Sequence, residues 1–359
     1  MSGYQYTVVL YREDGAPIGH AAVATDFEPA LEWARFLGMR LGRVSPVLSA
    51  DGGEIAPIWD PHSGEPFIAG FHAAVAGGNG REFGCDIPIQ YFRGAARNLA
   101  ARYVQDGLLK EKERFLYGAA ALPRPDAPTC AAEAPTRCTV RRLEQRLPLN
   151  DLSLDRLLGR AEVGKVVDPV DMPVFIPREV LEEAAVLTRQ AGSLETGGIL
   201  VGWLHRDASC PEIFAEVTAQ IPAQHTQSDL TRLTFTADTW TAARAAIEAR
   251  GRGELMLGWW HSHSYMKEGC KECGHQKPGC QGRAEFFSTE DCSLHRTVSH
   301  RAFCVGLVVS NSPCEGLTEV LFGWRHGMIA HRGYHILPSP AASSVAAGDA
   351  GGQVHDATK

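Results

Sequence analysis

Apolar and polar residues alternate over Tyr6–Arg12 and again over Ile18–Thr25, with Asp14-Gly15 between them. That pattern predicts a β-hairpin. The period changes after Glu28, where Leu31, Ala34, Phe36 and Leu37 share one broad helical face up to Leu41. IQYFRGAARNLAARYVQDGLL predicts a second helix that ends near Gly107, and FLYGAAAL predicts a strand. Residues 1–122 are thus expected to form a small α/β unit. PRPDAPTCAAEAPTRC has no periodicity and is rich in Pro and Ala, so it reads as a linker within a connecting segment, 123–170. In that segment LDRLLGRAEVGKVV is expected to be a connecting helix.

From Asp171 the pattern predicts a second unit, 171–337. MPVFIPREVLEEAAVLTRQ reads as a short strand followed by a helix, with Pro177 near its first turn. ETGGILVGWL, EIFAEVTAQIPA, LTRLTFT, ELMLGWWHSH, FCVGLVVS and TEVLFGWRHGMIAHRGYHI supply strands. TADTWTAARAAIEARG is a marked helix, with Thr236 or Asp238 as cap and Gly251 as stop. Residues 338–359 are small and polar and are expected to be disordered.

The chain has 359 residues, 44% of them hydrophobic and 21% charged, with a net charge of -7. Length and composition suit about two soluble domains. The charge provides no general attraction to nucleic acid or to an anionic membrane. There is no apolar run near the ~20 residues of a membrane span, and the N-terminus does not read as a signal peptide. These features place the protein in the cytoplasm, where the ten cysteines read as metal ligands or buried thiols. Cys85, with no identifiable histidine partner, reads as a buried thiol. His205, His225, His295 and His300 are expected to have ordinary structural roles.

Candidate chemistry concentrates in GWWHSH. Residues two apart on a strand face one way, so His261 and His263 project together and Ser262 faces away. Alternation also sends one of Trp259 and Trp260 to the core and the other toward a groove. Two imidazoles can share a divalent metal, and a catalytic zinc wants a third protein ligand and one open position. Asp291 is the candidate, in the pattern Ser288-Thr289-Glu290-Asp291. Each motif also has a plainer reading: surface histidines, and a helix start with Ser288 as N-cap.

Taken in order, ETGGILVG, LGWWHSH and SxxD resemble the JAMM/MPN family of zinc metallopeptidases. The resemblance covers about residues 171–337. It implies an α/β (α+β), cytidine-deaminase-like domain with a mixed sheet flanked by helices. It implies that His261, His263 and Asp291 hold a catalytic zinc, that Glu195 is the general base, and that Ser288 steadies the tetrahedral intermediate. Zinc chemistry agrees, since the ion lowers the pKa of a bound water to about 7. Two departures are visible: Ser264 stands where the family commonly has Pro, and the chain between His263 and Ser288 is longer than usual.

That insertion, near 264–287, carries Cys270, Cys273, His275 and Cys280. The donor set suits a closed, structural zinc. Cys292 could replace His275 or Cys280, and the alternative is a flexible loop with redox-sensitive thiols. The resemblance implies cleavage after the C-terminal glycine of a ubiquitin-like protein, in its precursor or its conjugates. It also implies a bacterial system with activating and conjugating enzymes, for which antiviral defence is one setting. Residues 1–122 would then bind the modifier, that machinery or a second protomer. The alternatives are a peptidase on sulfur-carrier, cell-wall or phage peptides, and a non-enzymatic scaffold.

Overall fold

The computed structural model describes residues 3–48, 52–124, 145–192, 194–224, 226–228, 233–263, 286–312 and 316–339. The Cys270, Cys273, His275 and Cys280 cluster lies outside these residues, as do most of the linker and nearly all of the tail. The architecture is mixed α/β, built on two large sheets. No helix among the described residues is long and apolar enough to cross a membrane.

The first sheet runs in the order Pro17–Val23, Tyr4–Tyr11, Leu116–Pro123, Phe67–Ala76, Glu54–Trp59, with Glu82–Pro88 also paired to Phe67–Ala76. The hairpin expected at Asp14-Gly15 forms, and Gly15 takes φ 87, a left-handed value that glycine adopts without strain. The predicted helices are Glu28–Arg40 and Arg93–Gln105.

The second sheet has ten strands with parallel and antiparallel pairs. The order of its central strands is Tyr334–Leu337, Val174–Pro177, Glu212–Pro222, Gly197–Asp207, Leu255–His263, Val305–Ser312, Gly316–Arg325. It begins earlier than position 171. Asn150–Asp151 pairs with Gly197–Asp207, and Glu162–Lys165 pairs with Tyr334–Leu337. The helix expected over 154–167 is confined to Leu154–Leu158. Gly159 ends it, and Glu162–Lys165 follows as an edge strand paired with Tyr334–Leu337. Of LTRLTFT, residues 230–232 lie outside the described residues, Leu233–Thr234 is a strand, and Thr236 already caps the helix Ala237–Arg250.

The two sheets meet through the helix Glu28–Arg40, which is buried nearly all round, including Glu32, Arg35 and Arg40. A helix so enclosed lies between two layers rather than on a surface. Phe36 packs 6.1 Å from Phe303, and Trp33 lies edge-on to His326. Arg40 makes a bidentate bond to Glu212 and donates to the Val170 and Asp171 carbonyls. Behind it Asp171 is fully buried between Arg325 and Arg332. One continuous apolar cluster therefore holds residues of both units.

Because that core is shared, Phe36→Ala should cost about 3–5 kcal/mol and move one unfolding transition for the whole chain. Calorimetry checks this: two transitions, with only one moved, would mean that the units fold independently.

Candidate metal centre

The strand Leu255–His263 carries both histidines, and a β-bulge sets their direction. Leu200 pairs with Gly258, but the next residue, Val201, pairs with Met256, so Leu257 is the extra residue. Before the bulge Met256 faces the cluster of Ile199, Val201 and Phe235; after it Trp259 does. Leu257 and Trp260 face the opposite core. The bulge thus shifts the phase of the strand, so that Trp259, and with it His261 and His263, lie on the side of the helix Thr289–Val298. Bulges commonly re-aim side chains in this way. Gly258 is required there, because a Cβ would sit 1.8 Å from the Val305 carbonyl oxygen. The expected split between Trp259 and Trp260 is only half right. They face opposite sides, yet both are buried, since each side of the sheet is covered.

Asp291 reaches the pair from the first turn of the helix Thr289–Val298. Ser288 is the N-cap: its Oγ accepts from Asp291 N at 3.1 Å, and Asp291 Oδ2 accepts from Ser288 N at 2.7 Å. This reciprocal box satisfies two helix-end donors. It also fixes the carboxylate, whose Oδ1 lies 3.3 Å from His261 Nε2 while Oδ2 lies 3.6 Å from His263 Nε2. The two Nε2 atoms are 2.9 Å apart. The plain capping role and the clustering role of SxxD are therefore both realised, with Asp291 Oδ2 taking part in each.

The donor set fits a divalent ion. Its ligand atoms all lie within 4.8 Å of one another. The observed separations bracket the edge of about 3.3 Å expected for two ligands on a tetrahedral zinc. Burial lowers the pKa of His261, against an opposing pull from Asp291, and so favours the neutral, metal-binding imidazole. Burial alone would raise Asp291, but hydrogen bonds from His261 and His263 outweigh it and hold the carboxyl well below the usual range. A neutral imidazole at His261 and an ionised carboxylate at Asp291 are the forms that bind a metal.

Glu195 is buried just before the strand Gly197–Asp207. Its neighbour Thr196 accepts from Ser262 N at 2.7 Å and donates to Ser262 Oγ at 2.9 Å. This continues the antiparallel register one step past the Gly197–His261 pair. Glu195 therefore stands beside the His263 end of the strand. Ser262, facing away from the histidines as expected, is what ties the two segments together. Cys292 follows Asp291 half-buried, with its thiol pKa raised by burial. Cys85 is pushed up to about 11 by burial first and Asp86 second, which leaves it a poor nucleophile.

The periodicity gave little notice of His295. It is fully buried one turn after Asp291, and its Nδ1 accepts from Trp259 Nε1 at 3.1 Å. The i, i+4 spacing from Asp291 was the available signal.

Burial pushes His295 from 6.5 down to about 3. The fold prefers the neutral ring, so the unfolded chain takes up this proton first. Stability is full above pH 6.5 and falls as pH drops from 6.5 toward 3, by at most about 1.4 kcal/mol per pH unit. Urea unfolding between pH 7 and 4 checks this. The stability of the wild type relative to His295→Leu should shrink as pH falls; parallel curves would contradict the assignment.

No protein-family model and no curated protein matches the chain. Among solved structures it is similar to the solution structure of a protein from Desulfitobacterium hafniense, at 21% identity and a TM-score of 0.30, over 46% of this chain and 92% of that one. At that score the likeness carries no argument about fold or site.

Proposed function

We propose that this chain is a zinc metallopeptidase of the JAMM/MPN type. In this reading it cleaves after the C-terminal glycine of a ubiquitin-like protein, in a precursor or a conjugate, in the cytoplasm of a bacterium. The observation that carries the reading is the convergence of His261, His263 and Asp291, brought from a strand end and a helix start 28 residues apart. The buried Glu195 beside that strand end supports it.

His261, His263 and Asp291 would hold the zinc, leaving one position open. When bound, the ion would polarise the scissile carbonyl and acidify a water molecule. Glu195 would accept the proton of the attacking water on its carboxylate and return it to the departing amine nitrogen. Ser288 Oγ already accepts from Asp291 N, so its own proton remains free to be donated to the developing oxyanion. Trp259, Phe287 and the buried strand end keep water away from the inner side of the site. In the same reading Cys270, Cys273, His275 and Cys280 bind a second, structural zinc, and residues 1–122 engage the modifier or its conjugating enzymes.

The test is cleavage of a ubiquitin-like protein joined through its terminal glycine to a reporter, with elemental analysis of each enzyme. Wild type should cut after the glycine. Glu195→Gln should keep its zinc and lose about 10²–10⁴-fold in kcat, and His261→Ala should lose the catalytic zinc. A wild type that purifies without zinc and takes none up, or a Glu195→Gln variant with unchanged turnover, would overturn the proposal.

A further inference from the structure

Metal-binding histidines are usually oriented by a hydrogen bond at their other ring nitrogen. Here His261 Nδ1 is buried without such a partner among the described residues. A different device stands beside the ring. The Trp259 indole stacks on the His261 imidazole, with centroids 4.9 Å apart and planes at 23°. Phe287 stacks on Trp259 at 5.3 Å and 27°. The angle of the indole plane is set by its one polar atom, Nε1–H, which donates to His295 Nδ1. Indole nitrogen can only donate, so His295 must carry its own proton on Nε2.

That arrangement is costly for folding. His295 Nε2 is buried with no partner among the described residues, so its desolvation is not offset by a hydrogen bond. An aliphatic residue packed against Phe287 and Trp324 would avoid that cost. What the imidazole adds at this position is an acceptor aimed at Trp259. His295 and Asp291 lie one turn apart on the same helix, so this helix grips the histidine strand at two points: a carboxylate at His261 and His263, and a ring nitrogen at Trp259.

We propose that Trp259 and His295 are positioning residues for the metal centre: His295 Nδ1 fixes the indole plane, and the indole fixes the His261 ring with Nε2 aimed at His263 and Asp291. This rests on the reading of His261, His263 and Asp291 as metal ligands. The pair does in packing and one hydrogen bond what a direct bond to His261 Nδ1 does elsewhere.

The experiment is Co(II) and Zn(II) binding to the full chain, followed by competition with a chromophoric chelator and by the visible Co(II) spectrum. His295→Leu and Trp259→Phe should each weaken binding about 10–100-fold and change the Co(II) bands. The double variant should be no worse than either single one, because both break the same link. His295→Gln, which keeps an acceptor, should recover part of the loss. If His295→Leu fails to fold, Trp259→Phe still decides, since it keeps an aromatic ring beside His261 while removing the N–H together with part of the indole. Unchanged affinity and spectrum in Trp259→Phe, or full additivity in the double variant, would overturn the positioning role while leaving the metal centre intact. A wild type that binds neither ion would instead overturn the metal centre, and the positioning role with it.

Discussion

The carbonyl oxygen of Val305 occupies the space where residue 258 would carry a Cβ, and the site depends on that contact. Parallel pairing with Val305–Ser312 brings two backbones together at Gly258 so closely that a side chain is excluded. The extra residue inserted there changes which way the strand faces. Without the shift, His261 and His263 would point into the core that holds Trp260, and Trp260 would point toward the Asp291 helix. A buried pair of imidazoles in that core would meet apolar neighbours and no carboxylate. A single backbone contact therefore decides whether the two histidines meet Asp291 or become a burial penalty.

Around that strand the electrostatics follow from enclosure. Low polarity keeps His261 neutral and, by the same effect, makes the charge on Asp291 expensive unless donors surround it. The capping box provides one such donor from the helix itself. Ser288 thus has two uses: its side-chain Oγ caps the helix, and its backbone N–H holds the carboxylate that faces the strand. The helix Glu28–Arg40 has the corresponding task between the two sheets, where its buried charges are met by Glu212, Arg301 and backbone carbonyls. Arg332 is so enclosed that burial pushes it down to about 10, opposed chiefly by Asp171. It stays charged at neutral pH beside the carboxylate it needs.

Much of the local structure was legible in the sequence because the signals are local. Thr236 and Gly251 bound their helix as their chemistry dictates, and Asp14-Gly15 turns its hairpin. The pairing of His261 with His263 needed only the period of a strand. The strands Glu54–Trp59, Phe67–Ala76 and Glu82–Pro88 were not assigned, since small residues and glycines blur their alternation. The segment 150–165 reads as a connector because its short strands are stabilised by partners 55 to 174 residues away.

By itself the sequence determined most of the described helices and strands of the second unit, the shared face of His261 and His263, and the SxxD cap. It determined them because each depends on neighbours within about four positions, where the backbone period and capping chemistry act. The tertiary structure alone decided that the histidine face is the one that meets Asp291, that Ser262 clasps Thr196, and that His295 braces Trp259. Those contacts turn on a bulge and on strand pairings between distant segments, and no local period records where two backbones will touch.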